Sequence, residues 1–370
     1  MEAVKISAVE LRRVHLPLVL PFRTSFGTET VREALVLRIA TSEGDGWGEC
    51  VAGSEPGYSS EYVDSAWLTM RKFLVPRLLG ATAVTAVGLR EVFADVKGHR
   101  MAKAALEMAL LDAELRGAGM SFSEYLGGVT DAVSPGVSVG IAGSVAELID
   151  IVGGYLDEGY CRIKLKIEPG WDLEPVRAVR ERFGPDLLLQ VDANTAYQRA
   201  DIGHLAKLDE YSLLLIEQPL DEEDLLGHVE LARRITTPVC LDESIVSARA
   251  AADAISLGAC SIVNIKAGRV GGYLEARAVH DVCRANGVPV WCGGMLETGL
   301  GRAANLALGA LPGFSLPGDI SATARYYRED ITAPFVLTGG TIPVPTGPGL
   351  GIEPIPEALE ALTSETELLR

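Results

Sequence analysis

The chain holds 370 residues, 48% of them apolar and 22% charged, with a formal net charge of −17. This length and apolar content support a barrel-sized core with a second, smaller unit, and argue against wholesale disorder. The acidic excess repels phosphate backbones and anionic headgroups, so neither nucleic acid nor membrane is an expected partner.

The opening MEAVKISAVELRR lacks the charged-then-apolar order of an export signal, and no run approaches 18 apolar residues. Six cysteines are scattered without a CxxC pair, which predicts a reduced, cytoplasmic setting. Residues 1 to about 50 read as strands: VKISAVELRRVHL alternates in part, and REALVLRIAT and GWGECVA flank a turn at residues 42–46. LPFRTSFGTET, between the first two runs, is expected to be a surface loop, with Phe22 to Thr28, including Phe26, as a candidate lid. Residues 59–80 and 99–117 have a helical pattern. The second is rich in Ala, Leu, Met and Glu and is predicted to stop at Gly117. Strands followed by helices make this an α+β unit.

From about residue 133 the pattern becomes a strict alternation of strand and helix. Strands are predicted near 137–142, 161–167, 187–193, 213–219, 239–244, 262–267, 288–294 and 315–320. Eight strands with regular crossovers favour a closed barrel over an open doubly wound sheet. The Pro- and Gly-rich stretch TAPFVLTGGTIPVPTGPGLG follows without a clear helix and is expected to return to the N-terminal unit.

Lys166, Asp192, Glu217, Asp242 and Lys266 recur at gaps of 26, 25, 25 and 24 residues, each at or near the end of one of these apolar runs. One strand, loop and helix occupy about 25 residues, so the spacing predicts five side chains converging on one barrel face. Three hard oxygen donors and no paired histidines suit Mg²⁺, with Mn²⁺ or another divalent ion as a substitute. Lys164 and Lys166 share a face by the two-residue strand period, and two neighbouring ammonium groups are expected to lower each other's pKa. Lysines on either side of a cation suggest removal of a proton α to a carboxylate, the cation stabilising the enediolate. Asn194 is a candidate ligand contact or helix cap, and Glu243 is expected to point to the opposite face from Asp242, with a supporting role in place of direct ligation. Taken singly, each acid is more often a cap or ion-pair partner; the case rests on three in register.

Two motif matches are discounted. GVSVG fits a nucleophile elbow, but Ser138 lies in a β-branched run, where an inward serine touching the ligand is the better reading. GLGRAA lacks the βαβ context of a dinucleotide fingerprint.

KLKIEPGWD, LLQVDANTAY, LLLIEQPL, CLDESI, VNIKAGRVGG and WCGGMLETGLGRAAN together resemble the enolase superfamily. Within it they are most similar to the muconate-lactonizing-enzyme subgroup and its N-acylamino acid racemase / o-succinylbenzoate synthase family. The resemblance implies a modified (β/α)7β TIM barrel over residues 131–325. It also implies an α+β capping domain from residues 1–130, joined by the segment 326–370. It assigns Mg²⁺ to Asp192, Glu217 and Asp242, acid/base chemistry to Lys166 and Lys266, and tuning of Lys166 to Lys164. Arg269 matches the racemase-containing branch, and Gly293 and Met295 join the substrate-binding set. The implied partner is a small carboxylate, an N-acylamino acid or the o-succinylbenzoate precursor of menaquinone synthesis, and the implied assembly is a homo-oligomer. Strand seven carries no histidine and strand eight no DxD, which disfavours mandelate racemase and dipeptide epimerase arrangements. A dedicated synthase, a muconate-type cycloisomerase and a catalytically silent ligand-binding barrel are the competing readings.

Overall fold

The structure, a computed structural model, describes residues 3–370. Three long antiparallel strands come first: β1 (Ile6–Thr24), β2 (Gly27–Thr41) and β3 (Gly44–Cys50). Then follow β4 (Ala132–Val133), β5 (Val137–Val139), β6 (Arg162–Lys166), β7 (Leu188–Asp192), β8 (Ile216–Glu217) and β9 (Val239–Leu241). β10 (Ile262–Ile265), β11 (Val290–Cys292), β12 (Ile342–Pro343) and β13 (Thr363–Leu369) complete the set.

The first sheet has the order β13-β1-β2-β3. β13, the last element of the chain, runs antiparallel to β1, pairing Leu369 with Val9, while β12 pairs with β4. One face of the sheet lies on the helix Arg100–Ala118, whose contact residues include Ala105, Ala109 and Ala113. Gly46 and Gly48 of β3 make the crossing possible: a Cβ at 46 would lie 2.1 Å from the carbonyl oxygen of Ala109. The helix ends at Ala118, one residue beyond the predicted stop at Gly117, with Gly119 in the left-handed region (φ 67°). It is buried nearly all round, and its buried acids accept from backbone amides: Asp112 from Trp47 and Leu350, Glu114 Oε1 from Ala86, Glu107 from Leu274; Glu114 Oε2 has no hydrogen-bond partner.

The predicted surface loop at LPFRTSFGTET is instead ladder. β1 continues to Thr24 and pairs with Gly27, leaving only Ser25 and Phe26 as the turn. The tip is held over the barrel by Ser25 Oγ donating to the Ala193 carbonyl (3.1 Å), and by Ile141 N donating to the Arg23 carbonyl (2.9 Å). Polar residues here meet the barrel mouth as well as solvent, and local polarity does not distinguish the two.

The second sheet is parallel, in the order β11-β10-β9-β8-β7-β6-β5, with helices following most strands. All of its strands are short, two to five residues. The predicted eighth strand at 315–320 does not form a ladder. Its backbone makes single bridges at Phe314 to Val290 and at Gly318 to Pro135. Gly136 N donates to the Gly318 carbonyl (2.7 Å) and Asp319 N to the Cys292 carbonyl (2.8 Å), which joins the two ends of the sheet. Pro317 has no N–H to offer, which interrupts regular pairing at that point.

Candidate active site

Every barrel strand delivers its C-terminal side chains to one end. In β6 all five residues are buried; Lys164 and Lys166 face inward, two residues apart, as the strand period requires. Register then aligns the acids: Lys166 lies opposite Asp192, and Asp192 opposite Glu217. Asp242 follows β9, and Lys266 follows β10, which three strands separate from β6.

The charges interlock. Lys164 Nζ lies 3.1 Å from Asp192 Oδ2, 3.1 Å from Glu217 Oε2 and 2.5 Å from Asp319 Oδ2. Lys166 Nζ donates to Asp192 Oδ2 and to Asn194 Oδ1, each at 2.6 Å. Lys266 Nζ donates to Asp242 Oδ2 (2.8 Å) and to the Tyr58 hydroxyl (3.3 Å). Arg269 pairs with the other oxygen of Asp242 and donates to the carbonyls of Ile245 and Asn264. Asn264 Nδ2 donates to Glu217 Oε1 (2.6 Å).

These surroundings split the two strand-two lysines. Burial, with Lys164 beside it, outweighs Asp192 and lowers the Lys166 pKa below that of an ordinary lysine. Lys164 goes the other way: burial opposes its charge, but Asp319, Glu217 and Asp192 together hold it protonated. The expectation of mutual depression is thus corrected for Lys164, because three carboxylates outnumber one like-charged neighbour. For Glu243 the expected direction, though not the supporting role, is corrected. Strand geometry ends at Leu241, so alternation no longer sends Asp242 and Glu243 to opposite sides, and Glu243 accepts from Asn194 Nδ2 (2.9 Å). Burial, then the Asp192 charge, push the Glu243 carboxyl up to about 7. Asn194 is no helix cap: at φ 42° its backbone N–H turns back to Asp192 Oδ1 while its side chain links Lys166 to Glu243.

A cavity of about 240 Å³ opens above these groups, lined by Phe22, Phe26, Tyr58, Ser138, Lys164, Lys166, Asn194, Lys266, Met295 and Asp319, among others. Ser138 Oγ is buried there without a hydrogen-bond partner. Gly293 lies just behind: a Cβ would fall 2.7 Å from Lys266 Cε and 2.3 Å from Asn264 Oδ1. Lys166 Nζ sits 6.0 Å from the Phe22 ring centroid, and Lys266 Nζ 4.3 Å from that of Tyr58.

Two family descriptions match most of the chain: "Mandelate racemase / muconate lactonizing enzyme, N-terminal domain" over residues 6–127 and "Enolase C-terminal domain-like" over residues 147–358. The chain belongs to the enolase superfamily. Within the superfamily its branch is that of the muconate-lactonizing enzymes. It is 68% identical to an N-succinylamino acid racemase of an Amycolatopsis species, covering 97% of this chain and 98% of that one. It is 45% identical to an o-succinylbenzoate synthase of Geobacillus kaustophilus, covering 99% and 98%. The crystal structure of an enolase-superfamily protein from Listeria innocua superposes with a TM-score of 0.94 at 38% identity over 99% of both chains. This superfamily member is an enzyme.

Enolase-superfamily enzymes generally use a divalent metal, usually Mg²⁺. The donor set here suits such an ion chemically: Asp192, Glu217 and Asp242 offer carboxylate oxygens at three adjacent strand ends, and one ammonium already spans the first two. Among the described residues Asp192, Glu217 and Asp242 do not close into one ligand cluster, since Asp242 is turned toward Lys266 and Arg269.

Sequence reasoning missed Asp319, Tyr58 and Asn264 as site residues. Asp319 had a signal, an acid at the end of the eighth unit. Tyr58 and Asn264 had none, being one tyrosine in a Gly-rich loop and one amide within a strand.

Proposed function

We propose that the protein is a racemase of N-acylamino acids, N-succinylamino acids foremost, that removes and returns the proton α to a carboxylate through an enediolate, with o-succinylbenzoate synthase activity at the same site. The observation that carries this is the pair Lys166 and Lys266, buried on strands set apart around the barrel and lining one cavity. Lys166, held below the usual lysine range, is the base for one face of Cα. Lys266 is the acid for the other face: burial opposes its charge, but Tyr58, Glu243 and the nearby acids keep it protonated. Racemisation needs both groups. The synthase reaction needs proton transfer by Lys166 alone, with Lys266 staying cationic beside the developing negative charge. Lys164, fixed by three carboxylates, stays charged and attracts the substrate carboxylate. Asp192, Glu217 and Asp242 would hold Mg²⁺, which when bound neutralises that carboxylate and acidifies Cα. Asn264 and Arg269 orient Glu217 and Asp242, and Glu243 steadies Asn194.

The test is α-proton exchange in D₂O on an N-succinylamino acid. Lys166→Ala and Lys266→Ala are each expected to lower racemisation at least roughly 10²–10⁴-fold. A variant that still interconverts both enantiomers refutes the two-base assignment, and full turnover without Lys266 favours cycloisomerase chemistry. Calorimetric titration with Mg²⁺ is expected to show binding that Asp242→Asn weakens by roughly an order of magnitude or more. No heat and no exchange together would favour a silent barrel. Relatives named as synthases at 45% identity support a second reading, a dedicated o-succinylbenzoate synthase, which predicts turnover of that substrate and none of the N-acylamino acids. We place the enzyme in the cytoplasm, consistent with six free cysteines, and as a symmetric homo-oligomer.

A further inference from the structure

Beneath Lys164 lies a further buried cation. Leu215, Cys240, Ile262 and Trp291 form a separate apolar cluster, and each comes two residues before a residue of the site (Glu217, Asp242, Asn264 and Gly293), so together they floor the barrel. Arg162 comes two residues before Lys164 and enters that same layer, fully buried. A guanidinium taken out of water is costly unless fixed partners surround it.

Three segments are shaped around this one. Nε and Nη2 both donate to the Pro317 carbonyl (3.2 and 2.7 Å), in the eighth segment that joins no ladder. Cζ stands 5.3 Å from the ring centroid of Trp291, whose Nε1 donates to Cys240 Sγ (3.4 Å). Gly136 leaves the room, since a Cβ there would fall 2.2 Å from Arg162 Cζ. Nη1 has no hydrogen-bond partner, while Nη2 also lies 2.8 Å from Asp319 Oδ1. The other oxygen of Asp319 lies 2.5 Å from Lys164 Nζ, so this carboxylate has a cation on each side. Burial opposes its charge, but Lys164 and Arg162 hold it below the usual carboxylate range.

Charge balance shows what Arg162 does. Lys164 already faces Asp192 and Glu217 at 3.1 Å each. A third carboxylate whose charge fell on Lys164 alone would leave little attraction for an incoming anion. Shared with Arg162, Asp319 fixes the ammonium without cancelling it.

We propose that Arg162 is a positioning residue for the reaction: set between Gly136, Trp291 and the Pro317 carbonyl, it orients and neutralises Asp319, so that Lys164 stays in place with its charge available to the substrate carboxylate. The assignment rests on the α-proton chemistry proposed above, in which Lys164 attracts that carboxylate, and adds the group that keeps it able to do so.

The experiment measures racemisation of N-succinyl-L-phenylalanine beside urea unfolding of the same variants. Arg162→Met is expected to raise KM roughly 10–100-fold while kcat falls less than about threefold, the split that loss of ground-state binding produces. Arg162→Lys, which keeps the charge without the fork, is expected to lie between Arg162→Met and the native enzyme. Adding Asp319→Asn to Arg162→Met removes the uncompensated charge and is expected to recover most of the lost KM. A merely structural Arg162 would give a double variant no better than the single one. Should Arg162→Met fail to fold, Arg162→Lys with and without Asp319→Asn decides by the same reversal. A lowered urea midpoint with native KM, or a double variant that recovers nothing, overturns the assignment and leaves the racemase reading intact. If the native enzyme does not exchange the α-proton of this compound, the racemase reading falls and the assignment with it.

Discussion

Gly293 shows how tightly single residues set the site. Its missing side chain is what lets Lys266 and Asn264 pack against the end of β11. Asn264 cannot yield, because its amide holds Glu217 at 2.6 Å. Gly293→Ala is therefore expected to leave the fold intact by circular dichroism while shifting the lysine tip by about 1 Å, which lowers kcat on the order of 10²-fold. Steady-state kinetics beside an unchanged spectrum would bear this out; native-like kcat would show that Lys266 has room to spare. Asp319 illustrates the opposite limit of what single residues reveal. Its identity as a carboxylate at the end of a predicted strand was visible, but its hold on Lys164 depends on a contact 155 positions away.

At the level of elements, the joint between β3 and the helix Arg100–Ala118 is set by two glycines facing a row of alanines. At Gly46 an added methyl would meet the Ala109 carbonyl and the Ala113 nitrogen (2.4 Å), both helix backbone, so relief requires moving the helix itself. Gly46→Ala is expected to destabilise the protein by about 1–3 kcal/mol, read as a lower urea midpoint at unchanged m-value. An unaltered midpoint would mean the joint slides freely. The hairpin of β1 and β2 is the other element that matters for function. It carries Phe22, Phe26 and Arg32 to the cavity, and its tip is fastened to the residues after β7 through Ser25.

Over the whole molecule, two buried carboxylates fasten the N-terminal unit to helix N-termini of the barrel. Glu49 accepts from Thr298 N, Thr298 Oγ1 and Gly301 N at the start of the helix Gly299–Gly309. Glu107 accepts from Leu274 N at the start of the helix Tyr273–Ala285. Burial pushes Glu49 up to about 7 and Glu107 up to about 8, from an ordinary 4.5. Between those values the folded protein holds a proton on each group that the unfolded chain has lost, so stability falls as pH rises through the window. The slope is about 1.4 kcal/mol per pH unit for each group. Glu107→Gln, which keeps an acceptor and removes the titration, is expected to flatten the decline between pH 5 and 8 in denaturant unfolding. A variant with the native slope would place the pH sensitivity elsewhere.

Local sequence determined the repeating chemistry of this protein. Each barrel unit ends its strand at the same height, so five ionisable residues about 25 positions apart were enough to show which side chains converge, and six linked motifs were enough to show the superfamily. Tertiary structure alone decided how those groups pair. Tyr58 reaches Lys266 across 208 residues, and Arg32 enters the cavity from a strand of the other sheet. The hairpin that looked like a free loop is ordered by the barrel beneath it. Such partners come from segments that share no period with the strands they meet, and their contacts exist only once the two units have packed together.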